Sequence, residues 1–205
     1  KSNQNINYMK FLSPFGPRIA IVKIPLSLLE KINHEVESII LDKKKSISYD
    51  YSKKLVGQVQ QEIELKNKFI KKNLKNFISK SINQYLKKNL NKKSKNIKIK
   101  NLWVVRQFKN EYNPVHFHDG DVSGVGYLKI PSNLTKSNKK IKTNGTIDFI
   151  YGSKSFLSDS IFNHKPKVGD LILFPNYLMH TAYPFKSRGE RRSFSFNIEI
   201  DKKLT

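Results

Sequence analysis

The sequence predicts an α+β fold, a β-sandwich or jelly-roll with helices packed on one face. Three observations carry this. Two stretches before residue 96 repeat apolar residues at helical spacing. After Lys95 the texture changes to short runs rich in β-branched and aromatic residues. Each run is bounded by Gly, Pro, Asn or Asp. The 205 residues suffice for one sizeable core, so the chain reads as a single domain, 1–205. Its N-terminal strand and helices occupy 1–96 and its β core 97–201.

The elements follow in order. Residues 11–26, FLSPFGPRIAIVKIPL, read as a Pro/Gly-punctuated lead-in and a strand at Ile19–Ile24. Residues 26–41 place apolar side chains at 28, 29, 32, 36, 39 and 40, a helical pattern with Ser27 as candidate N-cap. His34 lies on this helix and reads as a surface or boundary histidine without chemistry. Residues 42–58 are polar and read as a loop. Residues 59–91 form a second helical pattern through Ile63, Phe69, Ile70, Leu74, Phe77, Ile78, Ile82, Tyr85, Leu86 and Leu90. Lys, Asn and Ser fill the gaps, so this helix is amphipathic with a solvated lysine face.

Strands are expected at 97–108, 122–130, 146–151, 168–174 and 192–200. Asn144-Gly145 marks a turn. The polar stretches 132–144 and 152–167 read as loops long enough to cover a site mouth.

Composition narrows the chemistry. There is no cysteine, which excludes disulfides, thiolate zinc sites and cysteine nucleophiles together. A metal here must be held by His, Asp or Glu. An intracellular, cytoplasmic setting fits. No run of eighteen apolar residues predicts a membrane span. The start, KSNQNINYMK, has no apolar signal core and no initiator Met, and reads as trimmed.

The formal net charge is +23. Clustered lysine attracts polyanions by counterion release, so a nucleic-acid partner is one reading. The other is compositional: Lys, Asn and Ile share AT-rich codons, and few of the basic residues are Arg, the residue that phosphate and base recognition favours. Nucleic acid is therefore kept as a possible partner and not favoured.

The motif that matters is NPVHFHDGD, 113–121. Residues two apart on a strand share a face, so His116 and His118 can bind one metal if 115–118 is extended. His180 follows GDLILFPNYLM, a turn, a buried strand and a Pro-marked exit, and belongs near the mouth of the sandwich. In the last strand Arg191, Ser193, Ser195 and Asn197 alternate with Arg192, Phe194, Phe196 and Ile198. The phenylalanine face suits packing. The polar face suits a pocket lining, with an Arg for a carboxylate.

Taken together, residues 100–200 resemble the iron(II) and 2-oxoglutarate-dependent oxygenases, most closely the small bacterial and phage-type members similar to prolyl hydroxylases. His116-Phe117-His118 stands where that family has H-x-D/E, His180 where it has the distal His, and Arg191-Arg192-Ser193 where it has Arg-x-Ser. SGVGYLKIP resembles the family's second core strand and places Tyr127 on the oxoglutarate. FLSPFGPRIA resembles the opening strand of the subgroup. The resemblance implies a double-stranded β-helix core, iron(II) as metal and 2-oxoglutarate as cosubstrate held by Arg191, Ser193 and Tyr127. It implies a dioxygenase that releases succinate and CO2 and hydroxylates a C–H bond, with O2 as the other cosubstrate. A peptidyl residue, prolyl among others, is the favoured substrate, and a bacterial or phage-encoded source the implied setting.

One departure concerns position 118, where the family has a carboxylate. His118 can ligate, Asp119 or Asp121 can swing in from the turn, or water can take the position. Two other readings stand beside this one. A cupin-type metalloprotein would also carry H-x-H and a later His, but usually with a following Glu, and it has no need of Arg191 and Ser193. A basic β-sandwich that binds nucleic acid would want aromatics interleaved with lysine on exposed strands.

Overall fold

A computed structural model describes residues 9–134, 138, 140, 143–201 and 204. Part of the 132–144 loop and most of the KSNQNINYMK start lie outside the described residues. The elements are β1 (Met9–Leu12), β2 (Ile19–Lys23), α1 (Leu26–Ile40), α2 (Lys43–Ser48), a 3-10 turn (Ser52–Lys54) and β3 (Gln61–Glu64). Next come α3 (Asn67–Phe69), a π-helical stretch (Ile70–Leu74) and α4 (Lys75–Leu90). The remainder is β4 (Ile97–Gln107), β5 (Asn113–His116), β6 (Val122–Lys129), β7 (Ile147–Ile150), β8 (Ile161–His164), β9 (Asp170–Pro175), β10 (Met179–Ala182) and β11 (Arg191–Ile200).

The strands form two antiparallel sheets in an α+β fold. The larger has seven strands in the order β1-β2-β9-β6-β11-β4-β3, the smaller four in the order β5-β10-β7-β8. The larger sheet is covered on both faces. One face carries Leu102, Val104, Leu171, Leu173, Phe194, Phe196 and Ile198 against Ile32, Val36, Ile78 and Ile82 of the helices. The other carries Val125, Tyr127, Ile172 and Phe174 against Ile147 and Phe149 of the smaller sheet. Burying each large apolar side chain stabilises by about 1.5–3 kcal/mol.

The alternation in SGVGY has a packing cause. A Cβ on Gly124 would stand 2.3 Å from Phe196 Cζ, and one on Gly126 would stand 2.2 Å from Phe194 Cε1. The two rings lie directly on the β6 backbone, and only glycine permits that approach.

Several expectations are corrected. Ser27 is not the cap of α1: Pro25 occupies that position, and no side chain caps it. Pro presets its φ and has no N–H to satisfy, which suits a helix start. Residues 42–58 are not only loop, because Asp42 caps α2 by accepting from Lys44 and Lys45 N–H. The second helix does not start at 59: Gln61–Glu64 is an edge strand on β4, and helix begins at Asn67. Ile63 alone satisfied either period, and pairing with β4 decided it. The 152–167 loop contains β8, and His180 lies within its own strand, β10.

Candidate metal centre and cosubstrate pocket

His116 ends β5 and His180 sits on β10, and the antiparallel pairing makes them Cα partners. His118 lies two residues beyond the end of β5. Its place comes from Asn176, which accepts from His118 N–H at 3.0 Å and returns its side-chain amide to His118 O at 3.2 Å. Its ring packs between Trp103 and Phe174, with centroids 5.6 and 6.0 Å away. The strand need not persist through 118, as the same-face reading required, for the rings to meet.

The three histidines each offer a ring nitrogen, and these atoms all lie within 4.8 Å of one another. The Nδ1 of His116 lies 2.8 Å from Pro114 O, and the Nδ1 of His180 3.0 Å from Leu178 O. A carbonyl only accepts, so each Nδ1 carries the proton and each Nε2 keeps a lone pair. The Nε2 atoms of His116 and His118 face each other at 3.3 Å. A cation among the three rings satisfies these lone pairs at once.

Electrostatics agree with the neutral, ligating form. Burial holds His118 down to about 4, helped by the charge of His116 and opposed by its interaction as a donor with the Asn197 side chain. Burial, then the other two rings, holds His180 well below its ordinary value. His116 is lowered by burial, against its bond to Pro114.

Asp121 is not brought to the histidines. Its Oδ2 accepts from Ile200 N–H at 2.9 Å, and it lines a separate hollow with Pro175 and Tyr177. Asp119 lines the rim of the histidine cavity but is 84 % exposed and faces Lys100 at 3.9 Å.

A cavity of about 270 Å³ opens beside the histidines, lined among others by Tyr127, Arg191, Ser193, Ser195 and Asn197. The phase of β11 is as the sequence suggests. Phe194, Phe196 and Ile198 face the helices, and the polar set faces the cavity. Arg191 is 3 % exposed. It donates to Gly145 O at 3.0 Å and to the Gln107 side chain, and its buried Nε has no partner. No carboxylate pairs with it among the described residues, so a buried cation waits for an anion. Burial lowers its affinity for its own proton, and an anionic ligand would reverse this. Arg192, by contrast, lies on the opposite face in ion pairs with Glu190 and Glu37. Tyr127, 2 % exposed, is the Cα partner of Ser193, and burial pushes its phenol up.

Residues 101–197 match the model of the family described as "Putative 2OG-Fe(II) oxygenase". That stretch, just under half of the chain, is similar to the iron(II)/2-oxoglutarate oxygenases. The three histidines are a donor set that could hold the metal of such an enzyme.

Solved oxygenase structures share the fold. A Pseudomonas putida prolyl-4-hydroxylase superposes with a TM-score of 0.59 at 11% identity, covering 96% of this chain and 94% of that one. HygX from Streptomyces hygroscopicus, with nickel, 2-oxoglutarate and hygromycin B bound, gives 0.60 at 11% identity, covering 90% and 83%. The viral collagen prolyl hydroxylase of Paramecium Bursaria Chlorella virus-1 gives 0.51 at 16% identity, covering 96% and 98%. No match is found among curated proteins. No helix among the described residues is long and apolar enough to cross a membrane.

The sequence reading assigned no site role to Tyr51, Glu62, Asn101, Trp103 and Asn113, among others on the wall of this cavity. Asn101 and Trp103 were within reach, since they alternate on a strand already recognised. Glu62 was hidden inside a helix pattern.

Proposed function

We propose that His116, His118 and His180 hold the iron(II), and that Arg191 holds the distal carboxylate of 2-oxoglutarate with Ser193 and Tyr127 beside it. The proposed substrate is a peptidyl residue, prolyl among others, hydroxylated at a C–H bond. The two sheets are read as the halves of a double-stranded β-helix. The convergence of three ring nitrogens within 4.8 Å carries the proposal.

Iron(II) with 2-oxoglutarate supplies oxidative decarboxylation of the oxo acid to succinate and CO2, coupled to insertion of one oxygen atom of O2 into a C–H bond. The chain's part is positional. Pro114 O and Leu178 O fix two rings in the ligating tautomer. Arg191 offers its buried, unpartnered Nε to a carboxylate on the cavity wall, where a charge-assisted bond is strong. Phe149 and Phe174 pack against His180 at 5.8 and 4.9 Å and keep water from that side.

Anaerobic titration with iron(II) and then 2-oxoglutarate tests this reading. The expected result is a weak visible charge-transfer band in the wild-type protein and its loss in His180→Ala. A His180→Ala protein that still decarboxylates oxoglutarate at the normal rate would refute the ligand set.

A further inference from the structure

The register of the larger sheet puts Glu62, Val105, Ser193 and Tyr127 in one row across β3, β4, β11 and β6. All four line the histidine cavity. Glu62 stands two strands from Ser193, about 10 Å at ordinary strand spacing. It is 1 % exposed, and its Oε2 has no hydrogen-bond partner. Asn101 Oδ1 and Asn113 Oδ1, also on the cavity wall, are buried without partners as well. The Glu62 and Asn113 oxygens converge: a Cβ on Gly57 would lie 2.8 Å from Glu62 Oε1 and 2.8 Å from Asn113 Oδ1. Gly57 thus leaves room for two acceptors at one point of the wall.

This is an unusual site for a carboxylate. The chain holds 39 Lys and Arg against 16 Asp and Glu, yet no ion pair to Glu62 forms among the described residues. The two basic residues lining the cavity are engaged elsewhere. Lys54 Nζ stands 4.8 Å over the Tyr51 ring, and Arg191 bonds Gly145 and Gln107. Burial, then the charge of Asp50, pushes Glu62 up to about 7. A buried acid with no cation is costly and calls for a partner from outside the fold. The same cavity therefore holds an unpaired buried cation, Arg191, and an unpaired buried acid, Glu62, which do not pair with each other. The first suits the cosubstrate's carboxylate. The second is left for the other substrate.

We propose that Glu62, Asn101 and Asn113 form a substrate subsite that binds a protonated amine or guanidinium group of the primary substrate. This rests on the oxygenase reading of the cavity and deepens it. A cation fits better than a neutral hydroxyl because the three buried atoms left without a partner there, Glu62 Oε2, Asn101 Oδ1 and Asn113 Oδ1, are all acceptors, and a donor that brings charge also ionises Glu62. Trp103, whose ring centroid lies 6.3 Å from that of Tyr51, adds a face that attracts a cation. The protein's overall positive charge opposes a cationic ligand at long range, but salt screens that field beyond roughly 8 Å. The selectivity is local.

The test uses the full chain loaded with zinc(II) and 2-oxoglutarate, uptake of both being checked by calorimetry. Methylguanidinium and propylammonium are then titrated in, with propan-1-ol as the neutral counterpart. Trp103 is the sole tryptophan, so its indole N–H resonance reports the cavity without ambiguity. Both cations should shift it saturably, at least tenfold more weakly in Glu62→Gln, while the alcohol does nothing. Asn113→Asp, a second variant of the same wall, should tighten both cations several-fold. The proposal is overturned if Glu62→Gln or Asn113→Asp binds the cations as the wild type does, or if propan-1-ol competes equally. It also fails if a loaded wild-type protein shows no shift with either cation. Failure of the wild type to take up zinc(II) and 2-oxoglutarate would instead sink the oxygenase reading, and the subsite with it.

Discussion

His116 and His180 are Cα partners across the antiparallel β5–β10 pair, and their ring centroids lie 4.3 Å apart. The register slips between His180 and Ala182, next to this pair. Such irregularities re-aim side chains, and here the site lies at the slip. Two histidines separated by more than sixty positions thus share one point because two short strands pair in one register. His118 joins them through Asn176 instead of through a strand.

Position 118 separates the candidate ligand sets. His118→Ala should lose metal, and by more than the roughly 10–100-fold that an outer partner contributes. His118→Asp should keep it, because a carboxylate restores an ordinary donor set for iron(II). Asp121→Ala should bind metal normally and lose about 1 kcal/mol of stability, since Ile200 N–H loses its acceptor. Calorimetric titration with manganese(II) reads all three. Tight binding by His118→Ala would rule out three imidazoles.

The two adjacent arginines should fail in different ways. Arg191→Ala should weaken 2-oxoglutarate by roughly 2–5 kcal/mol and leave metal affinity unchanged. Arg192→Ala should spare oxoglutarate but destabilise the fold by about 3–5 kcal/mol, because Glu190 would stay buried with one partner fewer. Binding isotherms and urea melts on both variants separate these effects. Equal losses of oxoglutarate affinity would place the wrong face of β11 on the cavity.

Acid should weaken the metal-free protein through His164. Burial holds this ring down to about 4, against the pull of Asp170, from an ordinary value of 6.5. The unfolded chain therefore takes up the proton first as pH falls. Stability is full above 6.5 and drains away as pH drops toward 4. His164→Gln removes that contribution, so its Tm should fall less steeply across this window. Parallel Tm–pH curves for the two proteins would contradict the assignment.

Gly126→Ala should cost about 1–3 kcal/mol by overpacking, because the new methyl would meet Phe194 at 2.2 Å. Adding Phe194→Leu should recover part of the loss. Thermal denaturation of the single and double variants checks the coupling, and simple additivity would mean that the ring moves aside freely.

Much of the β half was legible because strand periodicity is a local property. Arg191, Ser193, Ser195 and Asn197 alternate with Phe194, Phe196 and Ile198, and a pleated chain must send them to opposite faces. The same logic grouped His116, His118, His180, Arg191 and Ser193 as one pocket, and the family resemblance added Tyr127. What local pattern could not supply was partnership. Ile63 fitted a helix and a strand equally, so β3 went unseen, and Glu62 with it. Asp121 stayed open as an alternative ligand to His118.

The sequence by itself determined which residues are apolar, where turns fall and which side chains share a face, since these depend on chemistry within a few positions. The tertiary structure decided which faces meet. Asn176 holds His118 beyond the end of its strand, Ile200 N–H claims Asp121, and the β3–β4 pairing turns Glu62 inward. Each is a hydrogen bond or strand pairing between residues far apart in the chain. Its strength depends on burial and geometry that arise only once the sheets have closed around the site.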